Sequence, residues 1–215
     1  MNQQRVEEQI QHGDHLEVVD VWETIQGEGP LSGTPAVFVR FAGCNLGCSW
    51  CDTDYTSNRR FYARQELIRE VLKFPQSLVV LTGGEPFRQP VTPLIRSLLA
   101  CDKRVQVETN GTLWPVSGCE QTLTDSVIVC SPKTQKICER LIPHIDAWKY
   151  VITGSEISPE DGLPVGVARP GNEARVFIQP GDVGNREANR QKAIEICMEY
   201  GYSLSLQIHK IVGLA

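Results

Sequence analysis

The sequence predicts an α/β protein built as a partial, open (β/α) barrel of about six parallel β/α units. Three observations carry this reading. Short apolar strands alternate with helical stretches, the pattern of right-handed crossovers and a parallel sheet. The units fall short of the eight that close a full barrel. Polar and glycine-rich clusters follow the strands, at the edge where parallel α/β folds bind ligands.

Residues 1–15 are polar and are expected to form a mobile leader, with one domain over 16–215. Residues 18–24 and 36–41 are rich in valine and phenylalanine and alternate, so both read as strands. A helix fits 64–73, where Leu67, Ile68, Val71 and Leu72 share a face. Strands are expected at 78–81, 105–108, 127–130, 148–152, 176–179 and 203–207, with helices near 91–99 and 134–141. The longest helix is expected over 186–200, stopped by Gly201. Residues 161–172, with two prolines, read as a loop.

The composition limits what the chain does. Its 215 residues suffice for one sizeable core. Hydrophobic residues at 41% and charged ones at 22% are a globular balance. A formal net charge of -5 offers no broad basic surface for nucleic acid, so any anionic substrate needs local arginines and lysines. No apolar run approaches the roughly 20 residues of a membrane span, and the N-terminus lacks an apolar signal core. The expectation is a cytoplasmic protein. Reducing conditions there disfavour a disulfide framework for the eight cysteines.

Three of those cysteines, Cys44, Cys48 and Cys51, crowd into one loop that follows a strand directly. Gly43 and Gly47 allow its tight backbone. Thiolates suit zinc or iron–sulfur centres. Structural zinc wants four protein ligands, and no fourth cysteine or histidine lies nearby. Three thiolates on a four-iron cluster leave one iron open to an exogenous ligand. The iron–sulfur reading is favoured over zinc completed by a distant residue such as His209, or over free thiols. The other polar clusters are Thr82-Gly83-Gly84-Glu85-Pro86, Glu108-Thr109-Asn110-Gly111, Ser131-Pro132-Lys133, Gln179-Pro180-Gly181-Asp182 and His209-Lys210. Each alone serves equally as turn chemistry; five after successive strands favour a shared site. Gln26-Gly27-Glu28-Gly29 reads alone as a turn, and Arg40, at a strand end four residues before Cys44, as functional.

CxxxCxxC with Trp50 before its third cysteine, followed by TGGEP at 82–86, resembles the radical S-adenosylmethionine (SAM) superfamily. ETIQGEG at 23–29, FVR at 38–40, CDT at 51–53, SPK at 131–133 and QIHK at 207–210 are similar to the 7-carboxy-7-deazaguanine synthase family, a likeness running from about Val19 to Ala215. The resemblance implies a radical SAM core and a lyase that converts 6-carboxy-5,6,7,8-tetrahydropterin to 7-carboxy-7-deazaguanine with loss of ammonia, on the way to queuosine. It implies catalytic use of SAM, a [4Fe–4S] cluster, Mg²⁺, a homodimer and a flavodoxin- or ferredoxin-like electron donor.

Residue by residue, the resemblance assigns the cluster to Cys44, Cys48 and Cys51. SAM would meet Trp50, Asp52, Gly84, Glu85, Ser131, Pro132, Lys133, Gln179, Pro180, Gly181 and Asp182. The pterin would meet Ile25, Gln26, Gly27, Thr82, Arg40 through its carboxylate, and the terminal carboxylate on Ala215. Thr53 would supply a hydroxyl to Mg²⁺, which favours few protein ligands. The leader is longer than the family needs, and Ala215 stands where other members end in proline. A different radical SAM activity, such as a glycyl-radical activating enzyme, would dock a protein partner. A zinc-binding interaction module would hold no iron, and an inactive homologue would have another role.

Overall fold

A computed structural model describes residues 3–116 and 120–214. One nine-stranded sheet dominates it. The strands are β1 (His15–Ile25), β2 (Pro35–Phe41), β3 (Arg60–Ala63), β4 (Leu78–Gly83), β5 (Arg104–Thr109), β6 (Val127–Cys130), β7 (Ala147–Ile152), β8 (Arg175–Pro180) and β9 (Ser203–Leu204). Their order is β3-β1-β2-β4-β5-β6-β7-β8-β9, so β3 and β9 are the two edges and the barrel is open. From β2 onward every pairing is parallel.

The crossovers use α1 (Arg64–Val71), α2 (Thr92–Ala100), the short α3 (Glu120–Thr124) and α4 (Arg186–Tyr200). α4 begins at Asn185, whose side chain accepts from the Ala188 amide, and ends at Gly201 in the left-handed region with φ 74°. A last turn, α5 (Ile208–Ile211), follows β9.

Period-two alternation sorts the strand residues between two faces. Val37, Val39, Phe41, Val79, Leu81, Val105, Val107, Ile128, Trp148, Tyr150, Ile152 and Ile178 point outward, into the main core beneath the helices. Their neighbours Arg40, Thr82, Glu108, Lys149, Val151 and Gln179 face the concave side and line its cavity.

Several expectations differ from the structure. β1 is antiparallel to β2 and joined to it by the short 26–34 turn, which holds only a single 3-10 turn at Gly29–Leu31 and brings the chain straight back. The edge strand β3 and the short α3 and α5 carried too few periodic residues to be read. No regular helix covers 134–138; a 3-10 helix at Glu139–His144 replaces the expected one, consistent with Pro143 inside it. The strand expected over 203–207 stops at Leu204, with Ser205 turning in to bond the Ile178 carbonyl. The expected leader is also tied down: the amides of Glu7 and Ile10 donate to the Cys44 and Arg88 carbonyls at 2.8 and 2.7 Å. Three of its polar side chains are engaged inward: Gln4 and Gln9 donate to backbone carbonyls and Glu7 pairs with the buried Arg88. No helix is long and apolar enough to cross a membrane among the described residues.

Candidate active site

The strand C-termini open into one cavity of about 440 Å³, within the range of small-molecule sites. Its outer wall is the cysteine loop. β2 delivers Gly43 with φ 76°, and the Gly43 amide donates to the Tyr55 carbonyl at 2.9 Å, closing the loop's neck. A turn from the Cys51 amide to the Cys48 carbonyl, 3.1 Å, folds the loop so that all three thiols line the cavity.

Burial pushes the Cys44 thiol up to about 12, and raises Cys48 and Cys51. Bare thiolates are therefore disfavoured here, and a bound cationic centre would ionise them. Among the described residues, no three His, Cys, Asp or Glu side chains converge as a single ion requires. Three thiols spaced around a cavity fit a larger body such as an iron–sulfur cluster better than one zinc ion. Gly84 makes room beside them: a Cβ there would run into the Gly43 carbonyl and stand 3.0 Å from the Cys44 Cβ.

Glu85 does not line the cavity. It is fully buried and accepts from the Thr109 hydroxyl (2.7 Å) and the amides of Asn110 (2.7 Å) and Phe87 (2.9 Å). Burial raises its pKa to about 7 against the pull of those donors. The carboxyl acts as a brace that ties the strand end at Gly84 to the end of β5.

The side facing the thiols carries Lys133. Its ammonium lies 5.1 Å from the Trp50 ring centroid and 2.5 Å from the Ser131 hydroxyl. Burial, then the charge of Lys149, pushes its pKa down to about 8. Ser131, Gln179, Gly181 and Asp182 also line the cavity. Pro132 opens instead onto a smaller neighbouring cavity, and Pro180 is not part of the wall. At the mouth, Lys210 bridges Asp182 (2.9 Å) and Asp52 (3.0 Å), and the Thr53 hydroxyl lies 3.3 Å from Asp52.

The opposite wall comes from β1 and β2. Trp22 and Phe38 pack at a 38° tilt with ring centroids 5.3 Å apart, and the Arg40 guanidinium sits 4.8 Å from the Trp22 ring centroid. The Arg40 Nε is buried and has no hydrogen-bond partner in the protein, which suits a carboxylate from outside. Thr82 stands beside it in register. The Thr24 hydroxyl also lines the cavity, buried and unpartnered.

The floor is a charged network that joins Glu108 and Gln26, which the sequence placed at the site, to Glu28 and Lys149, which it did not. Lys149 donates to Glu28 and, at 3.2 Å, to Glu108. Gln26 donates to Glu108 at 2.9 Å and Gln207 to Glu28 at 2.9 Å. Burial alone would lower the pKa of Lys149, but Glu108 and Glu28 outweigh it and the net shift is upward. Burial likewise opposes ionisation of Glu28, and Lys149 reverses it, holding Glu28 below the usual carboxylate range. The available signal was a lone lysine in the apolar strand AWKYVI and a glutamate on the inward register of RVQVET.

Ile25 and Gly27 are not cavity walls. Gly27 serves packing: a Cβ there would meet the ring of His209 and lie 3.0 Å from its amide. His209 reaches the cavity that way. Ala215 lies outside the described residues, as does Cys119.

The radical SAM superfamily pattern matches residues 38–118, which hold the cysteine loop and the TGGEP turn. A 7-carboxy-7-deazaguanine synthase of Rhodospirillum rubrum is 45% identical over 224 residues, covering 94% of each chain. One from Aquifex aeolicus is 36% identical, covering 91% of this chain and 92% of its own. The crystal structure of QueE from Escherichia coli superposes with a TM-score of 0.72 at 21% identity, covering 90% of this chain and 94% of its own, and shares the fold. With that identity along almost the whole length, and with the thiol-walled cavity of a radical SAM enzyme, the chain belongs to the 7-carboxy-7-deazaguanine synthase family.

Proposed function

We propose that this chain converts 6-carboxy-5,6,7,8-tetrahydropterin to 7-carboxy-7-deazaguanine with release of ammonia. One observation carries the reading: a single cavity has three thiols on one side, and an arginine with an unpartnered Nε plus a carboxylate–lysine floor on the other.

Cys44, Cys48 and Cys51 hold the [4Fe–4S] cluster. Trp50, Asp52, Gly84, Ser131, Lys133, Gln179, Gly181 and Asp182 enclose SAM. When bound, the cluster and SAM together supply the hydrogen-abstracting chemistry, and the protein supplies orientation and shelter. Arg40 takes the substrate carboxylate as a bidentate pair, held flat by the Trp22 ring beneath it. Thr82, Thr24 and Gln26 offer hydrogen bonds to the pterin. Glu28, kept ionised by Lys149, and Glu108 beside it accept from the ring's amino and N–H donors. Trp22 and Phe38 exclude water from that side. Thr53, whose hydroxyl sits at the cavity mouth, would hold Mg²⁺, which would supply positive charge beside the substrate carboxylate. The working enzyme is a cytoplasmic homodimer reduced by a flavodoxin- or ferredoxin-like donor.

The test is an anaerobic incubation of reconstituted protein with SAM, dithionite, Mg²⁺ and 6-carboxytetrahydropterin, read by mass spectrometry. We expect 7-carboxy-7-deazaguanine in excess over enzyme, abolished by Cys48→Ala. Formation of 5′-deoxyadenosine alone would overturn the substrate assignment, and zinc in place of iron would overturn the cluster.

A further inference from the structure

The segment ahead of β1 crosses the neck of the cysteine loop and holds it at both its exit and its entrance. At the loop's exit, the Gln4 side-chain amide pairs with the chain as a strand would. It donates to the Thr53 carbonyl at 2.8 Å and accepts from the Tyr55 amide at 2.7 Å. At the entrance, Val6 bridges Cys44 in parallel register and the Glu7 amide donates to the Cys44 carbonyl. Val6 also covers Gly47, where a Cβ would stand 3.2 Å from its methyl.

The Glu7 carboxylate adds a second hold on the entrance. It pairs with Arg59 and with Arg88, whose side chain is only 6% exposed. Arg88 is wedged against the loop's first turn: a Cβ on Gly43 would lie 2.8 Å from its Cζ, and its Nη1 reaches the Ala42 carbonyl at 3.4 Å. Gln9 fastens the far end of the segment, donating to the Phe87 and Trp114 carbonyls at 2.8 Å.

We propose that residues 4–10 form a strap that clamps both ends of the cysteine loop. Gln4 and Glu7 are its positioning residues, arranging the three thiols before a cluster is loaded and slowing its loss afterwards. This rests on the reading that the loop carries the cluster. The geometry favours a clamp over ordinary packing because Gln4 and Glu7 act on opposite sides of one closure, the Gly43–Tyr55 bond.

The test uses the full chain with Gln4→Ala and Glu7→Gln. Amide hydrogen exchange of residues 43–55 is followed in metal-free protein, and iron release to a ferrous chelator is followed anaerobically in reconstituted protein. Loss of two hydrogen bonds from the neck is expected to speed loop exchange by about tenfold in Gln4→Ala. Iron release should quicken several-fold, on the order of that loop opening, while exchange in α4 stays unchanged. Loop exchange and iron release within about twofold of the parent would overturn the proposal. So would an equal rise in α4, which would mark a general effect on stability. Should Glu7→Gln fail to fold because Arg88 loses its counter-charge, Gln4→Ala decides. Should the parent bind no iron, the cluster reading falls, and the exchange of metal-free protein still decides whether the clamp exists.

Discussion

Lys149 on β7 reaches across β6 to Glu108 on β5, with its ammonium 3.2 Å from the carboxylate. The same ammonium holds Glu28, from the turn after β1. One cation thus ties the antiparallel start of the sheet to its parallel middle, beneath the cavity.

Lys149→Met should leave two largely buried carboxylates without a counter-charge, costing about 3–5 kcal/mol near neutral pH. Glu28 normally sits below the usual carboxylate range, so the parent keeps this contribution at neutral pH and loses it only as acid protonates Glu28. In the variant Glu28 would shift upward, because its burial is no longer offset by the ammonium, so the deficit should be largest above pH 7 and shrink toward pH 4. Denaturant unfolding of metal-free protein across that range measures this. A deficit independent of pH would mean that Lys149 acts by packing alone.

Arg40→Lys should weaken substrate far more than it weakens the fold. The guanidinium Nε has no internal partner to lose, so the melting temperature should stay within a few degrees. A point charge cannot reproduce the bidentate match, and the loss of roughly 1.5–3 kcal/mol predicts a rise in substrate Kd of about tenfold to a hundredfold. Anaerobic calorimetry with the pterin checks it. An unchanged Kd would place the substrate carboxylate elsewhere.

The legible parts of this molecule are those that alternation and spacing encode. Outward Val105 and Val107 make β5 readable, and the strict spacing of Cys44, Cys48 and Cys51 marks the loop. The same alternation placed Glu108 inward, yet its partner Lys149 lies 41 residues along the chain. Only the sheet order brings those two together, so their pairing was not readable. The short elements escaped for another reason: β3 and α5 are four residues each, too brief for a period to show. The role of residues 4–10 was hidden because glutamine and glutamate look solvated until a buried arginine and a loop neck are placed beside them.

Glu85→Gln tests whether the carboxyl behind the TGGEP turn is a brace. Its pKa rises from an ordinary 4.5 to about 7, chiefly through burial. A raised carboxyl favours the fold most below pH 4.5 and loses roughly 3 kcal/mol of that benefit as pH climbs to 7. Glutamine does not titrate, so the parent's stability relative to the variant should fall over that window. At any pH the amide would face the Asn110 N–H with a donor, a mismatch worth about 1–3 kcal/mol. Paired unfolding curves at pH 4.5 and 7.5 separate the two effects. A flat difference would mean that Glu85 is ionised throughout.

Gly84→Ala should separate loop placement from fold stability. Gly84 has no positive φ, so its requirement is space alone. The added methyl would displace the Gly43 carbonyl and press on Cys44, at a cost of about 1–3 kcal/mol. That strain falls where β2 hands the chain to the cysteine loop, so iron uptake should suffer more than the melting temperature. Gly47→Ala is the matched control: its Cβ meets only a Val6 methyl at 3.2 Å, and a flexible side chain can give way. We expect Gly84→Ala to reconstitute with little iron and Gly47→Ala to reconstitute nearly fully, both read by iron and sulfide analysis and by the visible absorption of the cluster. Equal iron in the two variants would show that the TGGEP turn tolerates a side chain, and that the close approach of Gly84 to Gly43 is not what sets the loop.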